Sequence, residues 1–299
     1  MSSRTYTAAT GNTVSVIAEK TRAYLALTRL DRPVGIFLLL WPTYWALWVA
    51  GEGRPDLFIF LIFTLGVIAM RSAGCAINDF ADRHVDGHVT RTKGRPLATG
   101  RITAREALGV FAVLVGISFL LVLQLNTTTI ALSVVAVILA ATYPFGKRFH
   151  HLPQVHLGLA FGWAIPMAFA AHHGEVAPVA WLLLLANIGW TLAYDTLYAM
   201  ADRPDDLKIG VKSSAILFGR FDLAAVALAY LWTLAWLVGV GWMVNLAAGY
   251  FVGLAIAAVS AVWILRTARS RQLDDCVLAF RRNNVFGAIV MLALIAGFL

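Results

Sequence analysis

The sequence predicts an all-α, polytopic membrane protein of about nine transmembrane helices in one bundle, and three observations carry that reading. Hydrophobic residues make up 60% of the 299 and charged residues only 13%, against roughly 25% charged in a soluble domain. The apolar residues, mostly Leu, Ala and Val, come in long runs without the alternation of barrel strands. The charges collect between the runs, where helices would leave the hydrocarbon.

The chain begins with a polar or amphipathic segment, residues 1–32, which lacks an apolar core followed by a small-residue cleavage site and so does not read as a cleaved signal peptide. Within it Glu19 to Arg32 sets Tyr24, Leu25, Leu27 and Leu30 among charges, as in a helix lying on a membrane surface. The apolar runs follow at 34–50, 57–80, 107–125, 129–145, 157–172, 178–196, 223–244, 246–265 and 283–299. Several are at the short end of the roughly 17–25 residues that a spanning helix needs. Pro42, Pro144 and Pro166 predict kinks or helix ends that would help open a cavity. No linker or low-complexity tract interrupts the series, so residues 1–299 read as one intramembrane domain. Each half carries an aspartate-rich end to its second helix, which fits two four-helix halves plus a ninth helix.

The net charge of +8 is a matter of topology. With the N-terminus inside, 22 Lys and Arg residues fall in inside stretches, Arg54 alone falls outside, and Arg71 lies within a span. That is a strong positive-inside bias, and removing one segment would scatter the later basic loops to the wrong face. No nucleic-acid partner and no obligate protein partner is expected.

Two acidic clusters, Asn78 to Asp86 and Tyr194 to Asp206, hold seven of the sixteen acidic residues. Four crossings separate them, so both open on the cytoplasmic face. Intramembrane carboxylates at such density need cations or do chemistry. Asn78, Asp82 and Asp86 follow at steps of four, as do Asp202 and Asp206, while Asp79 to Asp86 and Asp195 to Asp202 are steps of seven; on a helix these offsets share a face or adjacent faces. Pro204 is expected to stop the helix and turn Asp205 and Asp206 into a loop. Oxygen donors without His or Cys at metal spacing suit Mg²⁺, which completes its shell with water and substrate phosphate. The basic residues alongside, Arg83, Arg91, Lys93 and Arg95 after the first cluster and Lys208 and Lys212 after the second, complete a diphosphate site. The chemistry implied is metal-assisted departure of diphosphate.

The stretches RPVGIFLLLWPTYWAL from Arg32, RSAGCAINDFADRHVDGHVTRTKGRPLATG from Arg71, YPFGKR from Tyr143, PQVHLGLAFGWAIPMAFAA from Pro153 and YDTLYAMADRPDDLKIGVKSSAILFG from Tyr194 resemble the UbiA superfamily of intramembrane aromatic prenyltransferases. Within it they are most similar to the enzymes that prenylate 4-hydroxybenzoate in ubiquinone biosynthesis. The resemblance covers about residues 29–220 in detail. It implies a helical bundle whose central cavity opens to the cytoplasm and laterally to lipid, in a Gram-negative inner membrane. It further implies Mg²⁺-dependent transfer of a polyprenyl group from its diphosphate to the ring carbon ortho to the hydroxyl of 4-hydroxybenzoate.

Carried over residue by residue, the resemblance gives Asn78, Asp82, Asp202 and Asp206 to the Mg²⁺ ions, assisted by Asp79, Asp86 and Asp205. Arg91 and Lys208 would hold phosphate oxygens, with Lys212 nearby. Asp195 would accept or polarise the phenol proton, and Tyr194 and Tyr198 would position rings. Arg148, with Lys147 beside it, would pair with the acceptor carboxylate.

Other readings explain less. A naphthoquinone, haem or chlorophyllide prenyltransferase would share the metal motifs and differ in the acceptor pocket. A CDP-alcohol phosphotransferase would need acids where Ala104 and Leu108 stand, and would leave the second cluster unexplained. A cation transporter would place its acids near the bilayer midplane, whereas these gather at one face.

Overall fold

A computed structural model describes residues 17–299 of the chain. The part of the N-terminal segment before residue 17 lies outside the described residues, as does the side chain of Lys147. The helices are α1 (17–28), α2 (Val34–Ala50), α3 (Leu57–Ala81), α4 (Ala104–Val122), α5 (Thr127–Thr142), α6 (Pro153–Gly162), α7 (Ala164–His173), α8 (Pro178–Ile209), the short α9 (Ser214–Phe218), α10 (Asp222–Met243), α11 (Ala248–Thr267) and α12 (Leu273–Phe298). Among the described residues, seven segments are long and apolar enough to cross a membrane: Leu57–Ala81, Ala104–Val122, Thr127–Gly146, Pro153–His173, Ser214–Met243, Ala248–Ser270 and Leu273–Phe298. The two other expected runs are α2, with 17 apolar residues, and α8, whose 32 residues carry the second aspartate cluster.

Sequence neighbours pack as antiparallel pairs, α3 with α4 and α11 with α12, and α8 packs on α10. α12 also packs on α2 and α8. Buried indoles are satisfied there: Trp45 donates to the Gly287 carbonyl at 3.1 Å and Trp41 to the Asn284 side chain at 3.3 Å. The Asn283 side-chain oxygen takes Trp190 at 2.9 Å and Tyr230 at 2.7 Å. Gly287 allows this close packing, since a Cβ would stand 2.5 Å from Trp41 and 2.9 Å from Trp190. Gly287→Ala is therefore expected to destabilise the bundle by about 1–3 kcal/mol, read as a lower melting temperature in detergent.

Two local expectations are corrected, and a third element gains a packing partner. The helix expected to lie on the membrane surface packs one face on protein, burying Ala23 and Leu27 against Ala76, Ile102 and Ala107. It is held by Lys20 and Tyr24, both bonded to Glu106 at 2.7 and 3.0 Å. Pro204 does not stop α8, which continues to Ile209 and ends at Gly210 with φ 72°. A proline deletes one donor and crowds the preceding turn, but here Met200, Ala201 and Asp206 around it are buried and keep the turns packed. α12 starts at Leu273, ten residues before the apolar run, because Asp274 and Asp275 favour its N-terminal turn. Proline does break the fifth span: Pro166 lies one turn beyond Gly162, where α6 ends before α7 begins.

A buried carboxylate ties helix ends together. Asp222, at the start of α10, is fully buried and takes Arg203 at 2.9 Å and Arg271 at 2.8 Å. Arg203 comes from α8 and also donates to the carbonyls of Ala215 and Gly219. Arg271 sits in the α11–α12 turn at φ 56°.

Candidate active site

The end of α3, the loop after it and the second half of α8 help wall a cavity of about 940 Å³. On α3 and the following turn, Asn78, Asp79, Asp82 and Asp86 line it; on α8, Tyr194, Asp195, Tyr198, Asp202 and Asp206 do. The α8 acids recur at steps of four and seven because that helix stays regular through Pro204, which keeps them on one stripe. On the first side the chain leaves α3 without unwinding, since the amides of Val85 and Asp86 return to the Asp82 carbonyl at 2.7 and 2.9 Å.

Arginines join the two clusters. Arg91 clasps Asp202 through two bonds, the Nε one at 2.8 Å, and reaches the Tyr198 hydroxyl. Its guanidinium lies 4.2 Å over the Tyr198 ring, which stacks on Phe280 at 4.5 Å. Arg95 bridges Asp86 at 2.9 Å and Asp79 at 3.1 Å, and Arg29 grips Asp79 from the other side at 2.8 Å. Burial pushes the Asp86 carboxyl up, against the opposing pull of Arg95.

Among the described residues no three His, Cys, Asp or Glu side chains converge as a ready cage for a metal ion. The donor set nonetheless fits Mg²⁺, which binds through one or two carboxylates together with substrate phosphate: Asn78, Asp82, Asp86, Asp202 and Asp206 offer oxygen donors on facing walls of one cavity.

The seven acids are not all placed on the cavity wall. Asp79 is engaged by two arginines, and Asp205 lies outside the cavity, taking the Thr90 amide at 2.9 Å and Lys208 at 3.3 Å. Lys208 is itself exposed, at the same outer edge. Lys212 lines the cavity while its ammonium donates to the Phe149 carbonyl at 3.1 Å. Arg148 is also absent from the wall: it donates to the Ala81 carbonyl and covers Phe145, tying the YPFGKR turn to the end of α3.

A scan of families matches the UbiA prenyltransferase family over residues 39–290, most of the chain. The chain belongs to the UbiA prenyltransferase family. UbiA-family relatives extend the match to full length. One from Alkalilimnicola ehrlichii, named 4-hydroxybenzoate octaprenyltransferase, is 55% identical over 283 residues, covering 95% of this chain and 97% of that one. Another of the same name, from an Azoarcus species, is 54% identical over 95% of this chain and 99% of its own. Among solved structures, a UbiA homologue from Aeropyrum pernix K1 superposes with TM-score 0.77 at 28% identity, covering 89% of this chain and 98% of that one. A UbiA homologue from Archaeoglobus fulgidus, bound to GPP and Mg²⁺, shares the fold with TM-score 0.70 at 20% identity, over 91% of this chain and 99% of its own.

Within this UbiA fold, sequence reasoning passed over several cavity residues. Arg71 was marked only as a charge stranded in a span. It lines the cavity, lies 5.4 Å from the Phe161 ring and donates to the Cys75 sulfur at 2.8 Å, leaving its buried Nε without a hydrogen-bond partner. An arginine inside an apolar run is itself the signal that could have found it. Arg29 and Tyr143 also line the cavity. A second, apolar cavity of about 200 Å³ shares Arg71, Tyr143 and Phe161 with the first.

Proposed function

We propose that this UbiA-family protein transfers a polyprenyl group, octaprenyl by the names of its relatives, from the diphosphate to the 3-position of 4-hydroxybenzoate. The observation that carries this is the meeting of both aspartate-bearing helix ends, with their arginines, on one cavity that is also lined by Arg71, a cation for an aromatic acid.

Asn78, Asp82, Asp202 and Asp206, with Asp86 beside them, would hold Mg²⁺ against the diphosphate. Bound there, Mg²⁺ supplies positive charge that makes diphosphate a better leaving group. Arg91, Arg95 and Lys212 stand on the same walls and would take phosphate oxygens. The allylic C–O electron pair leaves with the diphosphate, the ring carbon ortho to the hydroxyl bonds to the allylic carbon, and the proton from that carbon then passes to Asp195 or to an oxygen of the departed diphosphate. The faces of Tyr198, Phe280, Tyr143 and Phe161 around the cavity can stabilise allylic positive charge, and the apolar surroundings keep water from it. Asp195 and Tyr194 lie deeper on α8 and would face the acceptor. Arg71, which lines the cavity where Arg148 does not, would meet its carboxylate. The apolar side cavity offers dry space beside that pocket for part of the tail. The distribution of basic residues supports a cavity opening on the cytoplasmic side, and the bacterial relatives support an inner-membrane location.

The test is turnover by purified protein in liposomes supplied with octaprenyl diphosphate and 4-hydroxybenzoate, with Mg²⁺ and then with excess chelator. The expected result is Mg²⁺-dependent 3-octaprenyl-4-hydroxybenzoate. Absence of that product, with prenylation of a naphthoate acceptor instead, would overturn the acceptor assignment.

A further inference from the structure

α1 ends in a turn that ordinarily calls for glycine. The Leu30 amide reaches back to the Leu25 carbonyl at 3.1 Å, the bond that closes a Schellman cap, whose inner residue is left-handed and so is usually glycine. Here that residue is Arg29, at φ 60°. One arm of its guanidinium, Nη1, donates to the Ala26 carbonyl of the same turn. The other arm leaves α1 altogether: Nη2 donates to both oxygens of Asp79, at 2.8 and 3.0 Å. α1 has other means of docking, since Lys20 and Tyr24 bond Glu106, and Ala23 and Leu27 are buried against Ala76 and Ala107. The consequence lies in the cavity, which Arg29, Asp79, Asp86 and Arg95 all line. Arg95 is shared, holding Asp86 at 2.9 Å and Asp79 at 3.1 Å. Two cations therefore face two carboxylates. Without Arg29, Arg95 alone would serve both acids, and the wall would gain one negative charge beside the place of the diphosphate.

We propose that Arg29 is a positioning residue of the diphosphate site: by occupying Asp79 it leaves Arg95 on Asp86 and keeps this wall from repelling the incoming diphosphate. This deepens the reading of the protein as a prenyltransferase and rests on it. The left-handed turn is what delivers the guanidinium, so a backbone that glycine would relax is held strained for the sake of a charge in the cavity. Arg29 acts through Asp79 and Arg95, and its loss falls on the prenyl donor, which carries the diphosphate, more than on the acceptor.

The experiment compares Arg29→Gly, Arg29→Ala and Arg29→Lys in liposomes. Glycine and alanine both remove the guanidinium, but only glycine relaxes the turn, so Arg29→Gly should melt about 2–4 °C above Arg29→Ala. Despite that difference, both should raise the KM for octaprenyl diphosphate by about tenfold, the order of one unbalanced charge near a bound anion. The KM for 4-hydroxybenzoate should stay within about twofold, which a general loss of structure would not spare. Arg29→Lys keeps the charge without the fork, and its KM for the diphosphate should return to within about threefold of the wild type. Should Arg29→Ala fail to fold, Arg29→Gly carries the test with the same readout. An unchanged diphosphate KM in Arg29→Gly, equal rises in both KM values, or an Arg29→Lys no better than Arg29→Gly would overturn the proposal and leave Arg29 as a tie between α1 and α3. Wild-type protein that transfers no prenyl group overturns instead the function on which it rests.

Discussion

Asp202→Asn is expected to lower kcat by about a hundred- to a thousandfold, the usual cost of removing one preorganised group that stabilises transition-state charge, with the melting temperature nearly unchanged. The substitution is isosteric and keeps one oxygen for Arg91, so the loss of stability should be smaller than that expected below for Asp222→Ala. What goes is a negative charge facing the first cluster across the cavity. Arg91 loses its carboxylate, although the Tyr198 hydroxyl and ring still hold it. Asp82→Asn should behave alike from the opposite wall. Asp205→Asn is the control: three residues along the same helix but outside the cavity, it should keep activity within about threefold, as surface substitutions usually do. The measurement is steady-state turnover in liposomes across a Mg²⁺ titration. Wild-type rates in both Asp82→Asn and Asp202→Asn would sink the diphosphate site, and a collapse in Asp205→Asn would return that residue to it.

The largest effect on stability is expected from Asp222→Ala. Its carboxylate neutralises both Arg203 and Arg271 inside the protein. Removing one partner of a buried charge pair typically costs about 3–5 kcal/mol, because the remaining charge stays buried. The lower end applies, since Arg271 is 39% exposed and can turn to solvent whereas Arg203, at 20%, cannot easily do so. A drop of about 3 kcal/mol should appear as a clear fall in detergent melting temperature. Arg271→Ala should be milder, leaving Asp222 paired with Arg203. Equal melting of wild type and Asp222→Ala would show that the pairings add nothing net.

Much of this architecture was legible because hydrophobic runs of spanning length are a one-dimensional signal. All nine expected runs became helices in the bundle, and the spacing within the aspartate clusters placed every member but Asp205 on a common wall. The losses came where local rules met tertiary packing. Pro204 reads locally as a stop, and packing overrides it. Arg148 ends the YPFGKR motif yet ties its turn to α3, and Lys208 follows the acids yet sits outside. The pairing of Arg29 with Asp79 joins residues 50 apart, and that of Arg271 with Asp222 joins residues 49 apart. No periodicity encodes such contacts.

The seam between α2 and α12 bears on how the protein is made. Trp41 and Trp45 find their hydrogen-bond partners 243 and 242 residues later, on the helix that also walls the cavity beside Phe280. During synthesis at about 5–20 residues per second, those indoles wait in the bilayer for roughly a quarter to most of a minute before α12 emerges. The earlier helices can enter the membrane and pair with their neighbours in that interval, but the cavity gains its last wall only when α12 docks. Assembly of the site is thus a late event, and ribosome stalling or truncation before Leu273 would leave an inserted bundle with no closed chamber.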